Sequence, residues 1–403
     1  MSMTICCLEP VLAPYSIPRF RALQALRPDC SVRVMALGAT ERMREWKVRK
    51  QDLGFEYLEA VPGETVENIE PRVLSSRVRQ WLDACDPQAV AITGYYYPAM
   101  RAAAQWARRH GRASVYMGDS QRVDRPRIAI REWLKGWWVR RHYDSAFVAG
   151  ERAADYLMGL GFPRERIWTG YDVVDNGAIA SGAADARAAA SELRASLGLP
   201  DRFFLFVGRF SGEKNLPRLL EAYAGYRQAA GRQAWGLVMV GRGPQDDLLQ
   251  RRAQGIDGVV FAGFQQADQL PAYYGLASCL VLPSLSETWG LVVNEAMAAG
   301  LPVLVSHRCG CVPELVRSGW NGYLCDPLDI VGMVRTMAVL SSPSAAIDAM
   351  GAASRRIVAL YTPETWAQGL DDCVERTVAR CQAPVAEATP RWRGFSKPEK
   401  QPS

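Results

Sequence analysis

The sequence lacks several features that define other classes of protein. No run of apolar residues reaches the about 18 that a membrane-spanning helix needs, and its start, Met1 to Cys7, lacks the pattern of a secretory signal. Its ten cysteines contain no Cys-x-x-Cys pair and make up too little of the chain for a disulfide scaffold. A zinc site at Cys309 and Cys311 would lack a second pair of ligands. We therefore expect a cytoplasmic protein with reduced thiols.

Length and charge narrow the class further. The chain has 403 residues, of which 49% are hydrophobic and 22% charged, as in ordinary globular proteins. At about 150 residues per domain, this length predicts two or three domains. Residues 1–150 hold 23 Lys/Arg against 16 Asp/Glu, a net charge of +7, whereas the whole chain carries only +6. Whatever partner the basic surface meets should therefore meet the first part of the chain.

Short apolar runs bounded by turn residues alternate along the chain with longer segments of helical period. Most of these runs lack polar alternation, which is typical of strands buried on both faces of a parallel sheet. The alternation of strands with helices predicts two doubly wound α/β domains. The predicted strands are Thr4–Leu8, Ser31–Leu37, Ala89–Thr93, Ala113–Met117, Ser145–Val148, Phe203–Val207, Gly236–Val240, Gly258–Phe261, Cys279–Pro283, Pro302–Ser306 and Gly322–Cys325.

The composition changes between the two series of strands. An Ala-rich stretch in residues 177–201 predicts a connection with a helix. It divides a first domain, residues 1–176, from a second domain, residues 202–363. Near the end, Thr362 and Pro363 have the residue types of an N-cap and first helical position. Residues 383–403 have no periodic apolar face, so we expect a disordered tail.

The first segment that points to chemistry follows the predicted strand Phe203–Val207. Arg209 and Lys214 lie between this strand and a helix that we expect to begin near Asn215, with Asn215 as its N-cap and Pro217 in its first turn. Ligands of doubly wound sheets bind at the carboxyl ends of strands. Two cations beside a helix N-terminus suit a diphosphate. The alternative is a pair of solvated loop cations.

A second segment follows the predicted strand Cys279–Pro283. Glu287 lies in a loop, and Glu295 lies eight residues later in the second turn of a helix. Gly290 allows close approach of a ligand to the backbone, and the amides of Trp289 to Leu291 would be unpaired donors at the helix start. Glu295 could accept hydrogen bonds from a ribose diol, with Glu287 beside a sugar. The alternative is a helix-capping acid and a surface acid.

Together these segments resemble family 4 of the retaining glycosyltransferases, which adopt the two-domain GT-B fold with a cleft between the domains. The resemblance is detailed over about residues 200–330, and the first domain matches only in pattern. The matching elements are Gly208-Arg209, Glu213-Lys214-Asn215, Val240 to Pro244, Gly263-Phe264, Glu287 and Glu295 with seven residues between them, Ala298 to Val303, Glu314 to Val316, and Gly319-x-Asn-Gly322.

The resemblance implies a role for each matching residue. Arg209 and Lys214 would hold the donor diphosphate, and Glu287 would contact the transferred sugar. The backbone of residues 289–291 would face the sugar and phosphate, and Glu295 would take the ribose hydroxyls. The implied donor-binding residues are Gly208, Arg209, Lys214, Gly241, Glu287, Thr288, Trp289, Gly290, Leu291 and Glu295.

The resemblance also implies the reaction. The donor would be a UDP- or GDP-sugar that serves as a cosubstrate, and the acceptor a glycan or lipid-linked molecule of cell-surface polysaccharide or glycolipid synthesis. The anomeric configuration would be retained, and no metal or other cofactor would be needed, in keeping with the absence of any Asp-x-Asp. A final helix at about residues 364–382 would cross back to the first domain. Two alternative functions stay open: an isomerase or phosphorylase of the same architecture, and a noncatalytic sugar-nucleotide binder. The Gly-x-Gly-x-x-Gly motif that a nicotinamide-dependent oxidoreductase needs after its first strand is absent from this sequence, which argues against that class.

The first domain departs from the family pattern at two places. The loop after the first strand, residues 8–18, has none of the glycines that many members carry there. Where many members have an acceptor-facing histidine, this chain has Asp119 as the nearest ionisable group. Asp119 is either an acceptor-side catalytic base or orienting group, or a structural turn acid.

A basic, tryptophan-rich segment also lies in the first domain. Residues 122–141 hold seven basic and two acidic side chains, and the apolar residues from Ile128 onward recur at helical spacing. Three interpretations stay open: a core or cleft-lining helix, a membrane-surface helix across 128–141, and a nucleic-acid-binding helix, which we do not expect. Tyr95 to Tyr97 follow another strand and either stack on a sugar acceptor or pack between layers.

Overall fold

The computed structural model describes residues 3–43, 46, 48–124 and 127–383. Thirteen strands are present in these ranges: β1 (Thr4–Glu9), β2 (Ser31–Ala36), β3 (Glu56–Glu59), β4 (Ala89–Thr93), β5 (Ala113–Gly118), β6 (Ser145–Val148), β7 (Ile167–Thr169), β8 (Phe203–Val207), β9 (Gly236–Val240), β10 (Val259–Gly263), β11 (Cys279–Leu282), β12 (Val303–Ser306) and β13 (Gly322–Cys325).

Fifteen α-helices connect or flank these strands in the described ranges: α1 (Ser16–Leu26), α2 (Pro71–Cys85), α3 (Pro98–Arg109), α4 (Ala129–His142), α5 (Glu151–Gly159), α6 (Asn176–Ala188), α7 (Ala190–Leu197), α8 (Leu216–Ala230), α9 (Asp246–Ala253), α10 (Leu270–Leu276), α11 (Leu291–Ala298), α12 (Val312–Leu315), α13 (Ile330–Ser341), α14 (Ile347–Val358) and α15 (Pro363–Gln382). None of the described helices is both long and apolar enough to cross a membrane.

The strands form two all-parallel sheets. The first has the order β3-β2-β1-β4-β5-β6-β7 and the second the order β10-β9-β8-β11-β12-β13. Strands such as β8 and β11 are buried along their whole length, because helices cover both faces of the sheet. The fold is therefore α/β with two Rossmann-like, doubly wound domains, as the sequence predicts.

All eleven predicted strands are present with boundaries within two residues. Two short strands, β3 and β7, escape the sequence analysis. Both lie at the edges of the first sheet, and β3 alternates exposed and half-buried residues instead of forming an apolar run. Edge strands of this kind lack the continuous hydrophobic signal of buried strands.

The chain returns to the first domain at its end. Helix α15 begins with a capping box, in which the Thr362 and Thr365 side chains each accept from the other's backbone amide. This helix packs against α1 and against β5, β6 and β7 of the first sheet. Trp366 is buried between Phe20 and Phe147, at ring-centroid distances of 5.5 and 5.8 Å. The expected disordered tail lies, apart from its first residue, outside the described residues.

Helix α4 differs from the interpretation of a core helix. Only Gly136 and Val139 of this helix are buried, and both Trp133 and Trp137 are more than half exposed. Trp138 alone of the three tryptophans packs inward, with its ring centroid 6.1 Å from that of Tyr95. The core interpretation is wrong because helical spacing shows that apolar residues share a face, but not whether that face meets the protein or solvent.

Candidate functional site

The candidate site lies at the carboxyl edge of the second sheet. Strands β8 and β11 are neighbours there, while the strand that follows β8 in sequence, β9, lies on the other side of β8. The strand order thus reverses between β8 and β11, and the loops after these two strands diverge around a crevice. Such a reversal is where ligands bind in open α/β sheets. The loops involved are residues 208–215 and 283–290, the two segments that the sequence analysis singles out.

The loop after β8 is held by Asn215. Its side-chain amide donates to the carbonyl oxygens of Pro283 (3.2 Å) and Pro327 (2.7 Å). Asn215 occupies the N-cap position of α8, but it makes no side-chain cap and has a left-handed φ of 60°. The prediction of a capping side chain is therefore wrong. Asn215 fixes the loop to the neighbouring strand ends instead.

Lys214 and Glu287 are brought together by contacts between the two loops. The carbonyl oxygen of Glu213 accepts from the amide of Leu285 at 2.8 Å. The Lys214 ammonium and the Glu287 carboxylate form an ion pair, and both side chains are largely buried, at 16% and 14% exposure. The Arg209 side chain, by contrast, has no hydrogen-bond or ionic partner among the described residues and is half-buried. The loop after β8 therefore carries one guanidinium without a partner among the described residues and one ammonium held in an ion pair.

The start of α11 supplies backbone donors. Gly290 has a φ of +105°, which a side chain would strain, and a Cβ there would lie 3.2 Å from Leu282 Cδ2 and 3.3 Å from Glu287 Cγ. The amides of Gly290 and Leu291 donate to no other described residue. The Trp289 ring is buried, and its Nε1 donates to Asn294 Oδ1 at 2.9 Å. Trp289 can therefore meet a ligand through its backbone, as the resemblance implies.

Glu295 lies one turn further along α11 and is engaged by a tyrosine. The Tyr274 hydroxyl donates to Glu295 Oε2 at 2.5 Å. Desolvation raises the pKa of Glu295 to about 7, and the hydrogen bond from Tyr274 partly opposes this rise. Tyr274 itself is fully buried, which raises its pKa well above 10. No sequence signal links Tyr274 to Glu295, because the two side chains come from separate helices.

Gly208 and Gly241 bring two strand ends into close approach. A Cβ on Gly241 would lie 1.9 Å from the carbonyl oxygen of Gly208. The amide of Gly208 donates to Val240 (3.0 Å), and that of Gly241 donates to Gly263 (2.8 Å). Both amides are therefore already hydrogen-bonded to backbone carbonyl oxygens. At the crevice the two glycines contribute space rather than free hydrogen-bond donors.

The first domain closes the crevice from the opposite side. Thr288 Oγ1 donates to Asp119 Oδ2 at 2.6 Å, so Asp119 reaches across the crevice to the loop of residues 283–290 rather than bonding within its own turn. Gln121 is buried, and its Nε2 donates to the carbonyl oxygen of Glu287 at 2.5 Å. Sequence reasoning missed Gln121, although its place just after β5, at the same edge as Asp119, is a signal that could have found it.

A buried charged pair lies at the same edge of the first domain. Arg19 donates through Nη2 to the carbonyl oxygen of Val173 at 2.6 Å and lies 3.5 Å from Asp172 Oδ1. Burial raises the pKa of Asp172 to about 7, and the nearby Asp119 charge adds to this rise. The Asn294 side chain donates to the Asp172 carbonyl oxygen at 3.4 Å. This pair therefore ties α1 to the junction where the second domain contacts the first.

Within the described ranges, no group of three or more His, Cys, Asp or Glu side chains is placed to hold a metal ion. Cys309 and Cys311 are buried free thiols, whose pKa values are raised well above 9 by burial.

Comparison with known proteins agrees with this geometry. Residues 190–355, which contain both loops of the crevice, match the family model described as glycosyl transferases group 1. Over these residues, which make up less than half of the chain, the sequence is similar to the group 1 glycosyltransferases. A similar protein is the sulfoquinovosyl transferase SQD2 of Arabidopsis thaliana, 32% identical over 42% of this chain and 32% of that protein. Another is a D-inositol 3-phosphate glycosyltransferase of Salinispora arenicola, 32% identical over 51% of this chain and 48% of that protein.

The chain spans only about a third to a half of the length of the curated relatives that it matches. Similar solved structures cover far more of the chain. Anabaena HepE in complex with UDP aligns with a TM-score of 0.71 at 16% identity, over 93% of this chain and 100% of that one. A sucrose-phosphate synthase from Thermosynechococcus elongatus aligns with a TM-score of 0.72 at 19% identity, over 94% and 100% of the two chains. These likenesses show that the fold is GT-B, as the sequence resemblance implies.

Proposed function

We propose that the protein is a retaining glycosyltransferase that moves a sugar from a UDP- or GDP-sugar to a glycan or lipid-linked acceptor. The observation that carries the proposal is the Lys214–Glu287 ion pair, which joins the loops after β8 and β11 where the second sheet reverses its strand order, with Arg209 in the same loop as Lys214. Sugar-nucleotide binding is further supported by the UDP and UDP-glucose complexes of Anabaena HepE, which shares the fold.

In the proposed donor complex, Arg209 and Lys214 bind the diphosphate. Lys214 has three N–H donors, so it can contact Glu287 and a phosphate oxygen together. The amides of Gly290 and Leu291 add donors at the start of α11. Glu295 accepts the ribose hydroxyls, and Glu287 contacts the transferred sugar. Gly208, Gly241, Thr288 and Trp289 complete the donor site through close packing and backbone.

The chemistry follows from charge separation. As the bond to the sugar breaks, positive charge grows on an oxocarbenium-like sugar and negative charge on the departing diphosphate. A cation about 4 Å from an anion contributes about 4 kcal/mol at an effective dielectric constant near 20. Arg209 and Lys214 thus stabilise the leaving group, and we propose that no metal or resident cofactor is required. Asp119 faces the loop of residues 283–290 from the first domain, and we propose that it acts on or orients the acceptor.

The proposal also covers the cellular location of the protein and the class of its acceptor. All ten cysteines are free thiols, which supports a reducing, cytoplasmic location. We propose that the acceptor serves cell-surface polysaccharide or glycolipid synthesis, as the resemblance implies.

An activity assay tests the proposal. The purified protein is incubated with each UDP- and GDP-sugar, with and without a bacterial lipid extract, and with Lys214→Ala as the inactive control. We expect one donor to release its nucleotide in step with a mass increase on the acceptor, and NMR of the product to show a retained anomeric configuration. Sugar phosphate formed on addition of inorganic phosphate would identify a phosphorylase instead. Tight nucleotide binding without turnover would favour a noncatalytic binder.

A further inference from the structure

Helix α4 turns a continuous apolar surface toward solvent. Four large side chains at i, i+3, i+4 and i+7 share one side of the helix. Their exposed fractions, 51–62%, are far above those of core side chains. These residues, which we call the docking face, are Ile130 (61%), Trp133 (62%), Leu134 (51%) and Trp137 (51%). Single exposed apolar residues are ordinary, but a contiguous patch containing two tryptophans marks a site of interaction.

The docking face cannot turn inward, because the opposite side of α4 is fixed to the protein. A Cβ on Gly136 would lie 2.6 Å from the carbonyl oxygen of Leu160, so the helix backbone packs directly on the end of α5. Lys135 Nζ donates to the Tyr156 hydroxyl at 2.7 Å. Val139 is fully buried. Exposure of the docking face is therefore a stable property of the fold.

The exposed charged side chains of α4 all carry positive charge. Arg131 and Arg141 are exposed, and Arg140 is exposed although its Nη1 donates to the Leu160 carbonyl oxygen. The helix's one acid, Glu132, instead accepts a hydrogen bond from Tyr156 on the inner side at 2.5 Å. Arg108 and Arg109 at the end of α3 are also exposed, and Arg108 donates to the carbonyl oxygen of Arg141. An anionic surface complements this rim, whereas a second copy of the same face would bring like charges together.

We propose that the docking face inserts into the interface of an anionic lipid bilayer. The tryptophans and aliphatic side chains would enter the boundary between headgroups and acyl chains, and the arginines would meet the lipid phosphates. The occupant of this face is thus a membrane rather than another protein.

The chain that leads into α4 contacts the loop of residues 283–290. Gln121 donates to the Glu287 carbonyl oxygen, and Ser286 Oγ donates to the Asp124 carbonyl oxygen at 2.7 Å. A bilayer on α4 would therefore lie near the mouth of the crevice that contains Asp119. The inference that membrane docking presents a lipid-linked acceptor to this crevice rests on the proposed glycosyl transfer. Membrane docking itself does not depend on it.

Co-sedimentation of the full chain with vesicles tests the docking face. The vesicles are pure phosphatidylcholine, or phosphatidylcholine mixed equally with phosphatidylglycerol. The test variants are Trp133→Ala/Trp137→Ala and Arg131→Gln/Arg141→Gln. Their matched controls are Trp320→Ala, an exposed tryptophan of the second domain, and Arg251→Gln/Arg252→Gln, two exposed arginines of α9.

We expect binding to the anionic vesicles only, and weaker binding at high salt. The double tryptophan variant should bind these vesicles at least about tenfold more weakly. The double arginine variant should lose about fivefold in affinity for each residue removed, and both controls should be unchanged.

Absence of binding to anionic vesicles, or equal binding by all variants, would overturn the proposal. A dimer that Trp133→Ala/Trp137→Ala dissociates, without vesicle binding, would assign the face to self-association. Nucleotide-induced thermal shifts on the same variants report the donor site separately, so failure of one proposal is distinguishable from failure of the other.

Discussion

Lys214 and Glu287 form an ion pair that joins the loops after two neighbouring strands of the second sheet. Arg209 lies in the first of these loops and has no partner among the described residues. In the proposed donor complex, Arg209 and Lys214 bind the diphosphate, and Glu287 contacts the transferred sugar. The predictions below follow from this relationship and its surroundings.

Loss of either cation should reduce catalysis far more than loss of an exposed arginine. A contribution of about 4 kcal/mol from one cation corresponds to about a thousandfold in rate. We expect kcat/KM to fall by about that factor in Arg209→Ala and in Lys214→Ala. Arg251→Ala, on the outer helix α9, should stay within about twofold. Near-normal turnover of Lys214→Ala with the preferred donor would remove Lys214 from the phosphate site.

Glu287 should behave differently from Lys214. Glu287→Gln removes a negative charge beside the ammonium, so the affinity for the free nucleoside diphosphate should be unchanged or tighter. Sugar transfer should nevertheless fall at least about a hundredfold, because the proposed contact of Glu287 is with the transferred sugar. Calorimetric titration with UDP and GDP and steady-state assays measure the two effects. A weaker nucleotide Kd in Glu287→Gln would mean that Glu287 is needed to position Lys214 for the nucleotide.

The raised pKa of Glu295, about 7, predicts a pH dependence. The ribose hydroxyls favour its ionised form, so nucleotide affinity should fall as pH drops below about 7. Glu295→Gln should bind the nucleotide more weakly than the wild type at pH 8. Its affinity should no longer fall through protonation of Glu295, so that only titration of the nucleotide's own phosphate changes it with pH. Titrations of both proteins from pH 5.5 to 8.5 check this. Parallel pH profiles for the two would contradict the assignment of Glu295 to the ribose.

The same group affects stability without ligand. Its folded pKa lies above its unfolded value near 4.5, so its contribution to folding is fully present below pH 4.5 and is lost as pH rises through 7. Glu295→Gln should therefore gain stability relative to the wild type between pH 5 and pH 8. Melting temperatures across this range measure the difference, and an unchanged difference between the two proteins would argue against a raised pKa.

Asp119 and Thr288 provide a test of the acceptor side. If Asp119 acts on the acceptor, Asp119→Asn should lower kcat/KM well beyond Thr288→Val, which removes only the hydrogen bond between them. Donor affinity should change little in Asp119→Asn. Equal and non-additive effects of the two substitutions would show that Asp119 serves as a clamp between the domains.

Gly241 should be intolerant of any side chain. Gly241→Ala places Cβ 1.9 Å from the Gly208 carbonyl oxygen, whereas Gly255→Ala has a positive φ of 79° with no atom within 4 Å. The control isolates the cost of backbone strain, about 1–2 kcal/mol. Gly241→Ala should lower the free energy of unfolding by about 3 kcal/mol or more. Equal costs in urea unfolding would mean that the strand ends separate easily.

Sequence alone predicts most of this architecture, because strands such as Phe203–Val207 are buried on both faces and appear as uninterrupted apolar runs. It also places Arg209, Lys214 and Glu287 at strand ends, since parallel strands end at one edge of the sheet. It does not predict Gln121 or Tyr274, which reach the site through contacts between elements distant in sequence. It also leaves the side of α4 that faces solvent undecided, because periodicity defines a face but not its neighbour.

Nucleotide binding to the second domain is the claim on which the account depends most directly. Thermal unfolding of the wild type and Lys214→Ala in millimolar UDP, GDP and their sugars measures it, since a ligand at 100 times its Kd adds about 2.7 kcal/mol of stability. We predict that one nucleotide raises the melting temperature of the wild type, that its sugar conjugate does the same, and that Lys214→Ala loses most of the shift. No shift with any nucleotide, or an undiminished shift in Lys214→Ala, would contradict the account.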